Sequence, residues 1–315
     1  MSNDLRRPLD GSDIMVAPLA LGGNVFGWTA DEAISFRILD AFVDAGGTMI
    51  DTADVYSAWA PGHSGGESET VIGNWLKRDP AKCDKVVIAT KVGFMAGLKP
   101  DTIKTACDSS LGRMGIDAID LYYQHKDDET VPLAESLGAF DALRKAGKIR
   151  ATGLSNFSAA RVEEALAVAD AGGLAPAVAV QGWYNLLERG KYEGELQHVV
   201  TSRGLSFFPY YSLANGFLTG KYRSTDDVSK SVRGARNMEY IGSPKGNAVL
   251  AALEAVSAET GAAMATVALA WSKAQPGVGA PIASATSLAQ AEQLIAALAL
   301  DLTPAQSEAL NAASN

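Results

Sequence analysis

Residues 118–156 read AIDLYYQHKDDETVPLAESLGAFDALRKAGKIRATGLSN, and the fold is decided there. The two ends, AIDLYYQH and KIRATGLSN, are short apolar runs rich in β-branched and aromatic residues. They are too short for buried helices and suit strands covered on both faces. Between them, PLAESLGAFDALRKAGK spaces its apolar residues as a helix does. It opens at a proline and closes on lysine and glycine, which is the chemistry of a helix start and stop. Strand, helix and strand in so short a span make one βαβ unit, with its two strands parallel in one sheet.

The same alternation continues in both directions. Upstream are the strand-like runs GTMIDT (47–52) and VVIATK (86–91); downstream are AVAVQ (177–181), LSFFPYYS (205–212) and GAPIAS (279–284). DEAISFRILDAFVDAGG (31–47) and SAARVEEALAVADAGG (158–173) read as helices between them. Each strand ends in a polar residue: Asp51, Lys91, His125, Ser155, Gln181, Tyr211 and Ser284. Successive intervals suit one βα unit each until the last, which must hold extra loop and helix over about residues 212–275. With PLALGG (18–23) as the first strand the count is eight. The fold expected is therefore α/β, a single (β/α)8 TIM barrel spanning 1–315, with a long segment between strands 7 and 8 and its site at the C-terminal strand ends. RPLDGSDIMVA (7–17) reads as a short N-terminal β-hairpin under the barrel, and LTPAQSEALNAAS (302–314) as a capped terminal helix.

Composition narrows the function. The 315 residues carry 27 basic and 36 acidic side chains, a net charge of −9, with 47% hydrophobic and 20% charged residues. That is ordinary globular chemistry, and the lack of a basic cluster argues against nucleic acid or anionic membrane as partner. Cys83 and Cys107 cannot build a disulfide framework. The start, MSNDLRRPLD, lacks a signal peptide's apolar core, and no run approaches the ~18 apolar residues of a membrane span. A cytoplasmic protein is expected. The three histidines, His63, His125 and His198, have no metal-ligand spacing, so no metal is expected.

A barrel would bring Asp51, Tyr56, Lys91 and His125 together from three successive strand ends. A tyrosine is a poor proton donor at neutral pH unless a nearby cation lowers its pKa. Lys91 would supply that cation, Asp51 would keep it charged and oriented, and His125 could hydrogen-bond a substrate oxygen. That is machinery for protonating a carbonyl oxygen while something else attacks the carbon. Singly, each has a plainer reading: Asp51 as a helix cap, Tyr56 as a loop aromatic, His125 as a satisfied buried histidine. Lys91 could be a structural ion pair or a Schiff-base lysine. Gly62-His63-Ser64-Gly65-Gly66 matches the nucleophile elbow of α/β-hydrolases, but AWAPG before it is no strand, so it reads as a glycine loop entering the helix ESETVIGNWLKR. No dinucleotide fingerprint follows the first strand, so spacing alone does not name a hydride source.

The ordered motifs DTADVYS (51–57), ATK (89–91), YYQH (122–125), GLSNF (153–157), VQGWYNLLER (180–189), YYSLANGFLTGKY (210–222) and ASATSLAQAEQL (283–294) resemble the aldo-keto reductase superfamily from about Leu19 to Leu302. The later motifs are most similar to the branch with bacterial aldo/keto reductases and potassium-channel β subunits. The resemblance implies an oxidoreductase of class 1.1.1 that reversibly reduces an aldehyde or ketone to an alcohol, taking NADP(H) in preference to a usable NAD(H). It implies Tyr56 as general acid, Lys91 as its pKa depressant, Asp51 as the lysine's partner and His125 as the carbonyl-orienting residue. Ser155, Asn156 and Gln181 would bond the nicotinamide carboxamide, Tyr211 would stack on the ring, and Gly23 and Asn24 would lie close by. The diphosphate would rest on Ser212, Leu213, Gly216, Leu218 and Lys221. Arg233 matches a basic position near the adenosine phosphate, and Ser284, Thr286 and Gln290, with Gln293 beside them, match adenosine-side residues. Relatives often carry Gly, Lys or Arg, and Asn where this chain has Ser284, Thr286 and Leu294, which leaves the 2′-phosphate preference open. Trp28 and Trp59 would belong to the substrate wall. Two other functions remain at this point: a non-catalytic nucleotide-sensing subunit, whose relatives replace the histidine that this chain keeps as His125, and a Schiff-base aldolase using Lys91.

Overall fold

The computed structural model describes residues 6–9 and 11–315. Residues 1–5, where the expected leaderless start falls, and Asp10 of the expected hairpin turn lie outside the described residues. The hairpin is present as β1 (Arg7–Pro8) and β2 (Met15–Val16), paired antiparallel.

Seven parallel strands follow, each hydrogen-bonded to the next in chain order, β3 (Ala20–Gly22), β4 (Met49–Asp51), β5 (Val87–Val92), β6 (Ile119–Gln124), β7 (Ile149–Ser155), β8 (Ala177–Trp183) and β9 (Ser206–Tyr210), and an eighth, β10 (Ile282–Ala283), returns parallel beside β3. β10 is too short to span the gap to β9. The residues just before it do so, with Phe207 donating its N–H to the Gly277 carbonyl and accepting one from Gly279. The (β/α)8 TIM barrel expected from the alternation is the fold.

Helices α1 (Glu32–Asp44), α2 (Glu67–Arg78), α3 (Pro100–Met114), α4 (Leu133–Lys145), α5 (Ala159–Gly172) and α6 (Glu195–Ser202) connect successive strands. Their ends follow from local chemistry. Asp31 and Ser158 accept N–H bonds at the starts of α1 and α5, and Gly115 and Gly173 close α3 and α5 in the left-handed conformation. The long β9–β10 segment holds three 3₁₀ turns and two helices, α7 (Pro244–Thr260) and α8 (Met264–Lys273), the extra loop and helix expected there. The expected terminal helix is preceded by α9 (Leu288–Ile295) and stands as α10 (Pro304–Ser314), opened by a Thr303–Gln306 capping box. No single helix among the described residues is long and apolar enough to cross a membrane.

Inside the barrel, Met49, Ala89, Leu121, Tyr123, Ala179 and Phe208 pack as one cluster with Leu9, Ile14 and Val16 of the hairpin. The hairpin thus seals the N-terminal end with apolar side chains, and the polar strand ends are left to the opposite mouth.

Candidate active site

Three strand ends meet around Lys91. Its Nζ donates to Asp51 Oδ2 at 2.7 Å, to the Thr52 carbonyl at 2.6 Å and to Tyr56 Oη at 2.9 Å. Lys91 and Asp51 are both buried. β4 delivers the carboxylate at its last residue, β5 delivers the lysine, and the turn after β4 brings Tyr56 back over both. Gln181 on β8 donates from Nε2 to Asp51 Oδ1 at 2.8 Å, so it belongs to the carboxylate's anchorage, a role the sequence did not suggest.

The charges are set by burial. Loss of solvent holds the Tyr56 phenol well above its ordinary value, and the Asp51 carboxylate adds to this. The same loss pulls Lys91 down, with Asp51 working against it. The expected cation does lie against the phenol, yet before any reaction burial dominates, and Tyr56 keeps its proton. Burial, aided by Lys91, also holds His125 well below the usual histidine range, so its imidazole is neutral. Its ring lies 6.1 Å from that of Tyr56 and 4.9 Å from that of Phe94. Its Nδ1 is buried without a partner.

The remaining expected residues divide by position. Ser155 is buried at the end of β7, and Asn156 beside it donates from Nδ2 to the His125 carbonyl at 2.8 Å. Tyr210 donates to Asn156 Oδ1 at 2.6 Å. Asn24 and Ser284, from strands at the barrel seam, are joined by a 2.7 Å bond donated by Ser284. Gly23 lies between Asp51, whose carbonyl takes its N–H, and Ser68, whose hydroxyl donates to its carbonyl. Thr286 donates from both N and Oγ1 to Gln290 Oε1, and the cap of α9 is Ser287.

Tyr211 is held in an unusual backbone. Its φ is 54°, and Ala214, Asn215 and Gly216 just beyond also have positive φ. The turn is closed by its own backbone, Ala214 donating to the Tyr211 carbonyl and Gly216 to that of Leu213. Lys221 reaches back over this turn: a Cβ on Gly216 would meet its ammonium at 3.0 Å. Ser212 and Leu218 are buried in the same segment, and Leu213 packs partly into the core.

Two residues here escaped the sequence reading. Buried Asn185 donates to the Tyr211 carbonyl at 3.0 Å while its Oδ1 accepts from Leu187 and Glu188, which pins the strained turn. Arg236 donates to Tyr211 Oη at 3.1 Å. The only signal for Asn185 was its place in VQGWYNLLER. Arg233, expected near the adenosine phosphate, packs on Trp28, with its guanidinium carbon 5.6 Å from the ring centroid, close enough to Tyr211 and Tyr56 to interact with them by charge. Trp28 meets Trp59 edge-on at 5.5 Å, and Trp59 lies 6.0 Å from Tyr56, so both expected substrate-wall tryptophans stand at the mouth. Ser64 of the hydrolase-like motif sits in a loop and donates its backbone N–H to Glu67, without a strand before it.

The residues present fit a nicotinamide cofactor. Along one side of the mouth, the Trp183 Nε1 and the Asn215 Oδ1 are buried without partners, flanking the Tyr211 turn. Among the described residues no group of three histidine, cysteine or acidic side chains could hold a metal ion.

A family model described as the Aldo/keto reductase family matches residues 18–315. The chain is 32% identical over 305 residues to an uncharacterized oxidoreductase, YrpG, of Bacillus subtilis, covering 93% of this chain and 91% of that one. It is 32% identical to the protein tas of Escherichia coli, covering 93% and 92%. Human aflatoxin B1 aldehyde reductase member 4 is 35% identical over 212 residues, 67% of this chain and 62% of its own length.

Proposed function

Since the chain belongs to the aldo/keto reductase family and is an oxidoreductase, we propose that it reduces an aldehyde or ketone to the alcohol with NADPH, reversibly. The observation that carries this reading is the Lys91 ammonium, bonded at once to Asp51 and to the Tyr56 hydroxyl. When bound, the nicotinamide supplies hydride to the carbonyl carbon.

Tyr56 holds the proton that the carbonyl oxygen receives. Its high pKa keeps it loaded, and the ammonium 2.9 Å away stabilises the phenolate left behind, so the donor becomes acidic as the oxygen becomes basic. His125, neutral at working pH, can donate one N–H to the same oxygen without bringing a second cation beside Lys91. Ser155 and Asn156 suit the nicotinamide carboxamide, with Gln181 bracing Asp51. Tyr211 offers the ring face, steadied by Arg236 and Asn185. Lys221 and the 212–218 turn suit the diphosphate, and Ser284, Thr286 and Gln290 suit the adenosine end. Arg236 is the cation we assign to the cofactor's phosphates, with NADP(H) preferred and NAD(H) usable because Thr286 offers only a hydroxyl and an amide.

A Schiff base at Lys91 is disfavoured, since all three of its ammonium hydrogens are donated, to Asp51, to the Thr52 carbonyl and to the Tyr56 hydroxyl. The test is Tyr56→Phe with a panel of carbonyls, followed by NADPH absorbance. Loss of at least roughly 10²–10⁴-fold in turnover is expected, with NADPH fluorescence titration near wild type. Near-normal turnover on several carbonyls would remove Tyr56 as the acid.

A further inference from the structure

Among the described residues, five that are not glycine have a positive φ, and all five lie at the C-terminal mouth of the barrel. Asn156, Tyr211, Ala214 and Asn215 belong to the strand ends and the turn assigned above to the cofactor. Ser57, at φ 76°, is the fifth, and it directly follows the proton donor Tyr56. A side chain in this region is strained and persists where its surroundings over-determine it, typically at functional sites. Glycine would take the same φ without strain. What serine has and glycine lacks is a hydroxyl, and here it donates to the Phe26 carbonyl at 3.3 Å.

Both ends of that bond are anchored. Phe26 is fully buried, donates its N–H to the Gly23 carbonyl and bridges to Ala30. The β3–α1 loop thus closes on itself, with Trp28 inside it donating to the Val25 carbonyl. On the other side, the turn after β4 is fastened to Lys91 at its start. The Thr52 carbonyl accepts from the ammonium, and the Asp54 N–H donates to the Lys91 carbonyl at 3.2 Å. At its far end the Ser57 carbonyl accepts from Ala60 at 2.9 Å, which closes the turn carrying Trp59. Ser57 therefore links three things: Tyr56 just before it, Trp59 just after it, and the loop of Trp28, which Trp59 meets edge-on at 5.5 Å. Ser57 itself is 0% exposed and cannot touch a substrate.

We propose that Ser57 is a positioning residue for carbonyl reduction: its hydroxyl ties the turn of the acid to the β3–α1 loop, and so sets the Tyr56 phenol over Lys91 and Trp59 against Trp28. This rests on the reductase reading of the site. Strain is what a side chain at that point of the turn costs. The return is a proton donor and a tryptophan wall held as one unit.

Ser57→Gly and Ser57→Ala separate this role from a structural one. Both remove the hydroxyl, but glycine also removes the strain, so Ser57→Gly should melt close to wild type and Ser57→Ala clearly below both. Turnover should not follow that order. On a panel of carbonyls with NADPH, both variants should lose roughly 10–100-fold in kcat, the effect of a misplaced catalytic group, with NADPH fluorescence titration unchanged. The circular-dichroism couplet of the Trp28–Trp59 pair, identified as the part lost in Trp59→Phe, should weaken in both. Wild-type kcat in Ser57→Gly overturns the proposal, and so does a couplet of full strength. A loss of kcat confined to Ser57→Ala, in step with its melting, overturns it too and leaves Ser57 a structural residue. If wild type reduces no carbonyl, the reductase reading fails. A weakened couplet in Ser57→Gly then still upholds the tie, and a full one removes that as well.

Discussion

Lys91 is at once a catalytic group and a buried ion, and these two roles respond differently to substitution. Lys91→Met should cost as much turnover as Tyr56→Phe, because the phenolate loses its stabilising charge. It should also strand the Asp51 carboxylate, which is 1% exposed, at a cost of about 3–5 kcal/mol. Tyr56→Phe removes no charge and should melt close to wild type. Circular-dichroism melts of the two variants, with Asp51→Asn/Lys91→Met recovering part of the loss, would separate the roles. Equal melting temperatures for Lys91→Met and wild type would mean that Asp51 finds water or a proton. At this scale the tetrad was legible because strand ends repeat at βα intervals, and a barrel must bring polar residues at those ends together. The destination of Arg233 was not legible. It sits in a segment of short turns without periodicity, so its motif position said nothing about which side chain it would pack on, and the contact with Trp28 came only from the fold.

Strand ends were legible to within a residue or two: His125 lies one residue past β6, Tyr211 one past β9 and Ser284 one past β10, while Lys91 and Gln181 lie inside theirs. The deviation has a common cause, since hydrogen-bonded pairing and apolar patterning need not stop at the same residue. The apolar run GAPIAS yields only two paired strand residues beside β3, because the residues before Ile282 turn their bonds to Phe207. Helix glycines show how packing overrides propensity. Gly73 in α2 lies against the backbone of α3, so that a Cβ there would collide with the Arg113 carbonyl and the Met114 Cα. Gly138 in α4 has nothing within 4 Å of its would-be Cβ. Gly138→Ala should therefore stabilise by about 0.5–1 kcal/mol, as helix propensity alone dictates. Gly73→Ala should destabilise by about 1–3 kcal/mol through forced separation of α2 and α3. Urea midpoints at unchanged slope would report both. A gain at Gly73 would mean that the two helices slide apart without cost.

Across the whole molecule, the barrel places apolar side chains and a hairpin at one end and buries Asp51, Lys91 and Glu69 together toward the other, and the carboxyls packed there give its stability a pH dependence of definite sign. Behind Lys91, Glu69 is fully buried, accepting from Thr90 and Arg113. Asp54 sits beside this group with its Oδ1 buried and unpartnered. Burial first and Glu69 second push its carboxyl up to about 7, while Arg113, Lys91 and the Val55 amide pull the other way. An unfolded chain would release the Asp54 proton near 3.8. Between those values the folded chain keeps a proton that the unfolded chain has shed, so this group's contribution to stability falls as pH rises from about 4 to about 7 and levels off above. Asp54→Asn keeps the shape and cannot ionise. Its unfolding free energy should exceed that of wild type by a margin that grows over this range and reaches roughly 1–3 kcal/mol at pH 8. Urea unfolding of both proteins from pH 5 to pH 8 measures the difference directly, since every other titrating group is common to the two. A margin independent of pH would show that Asp54 ionises as readily folded as unfolded, and that the charge behind Lys91 is two carboxylates rather than one.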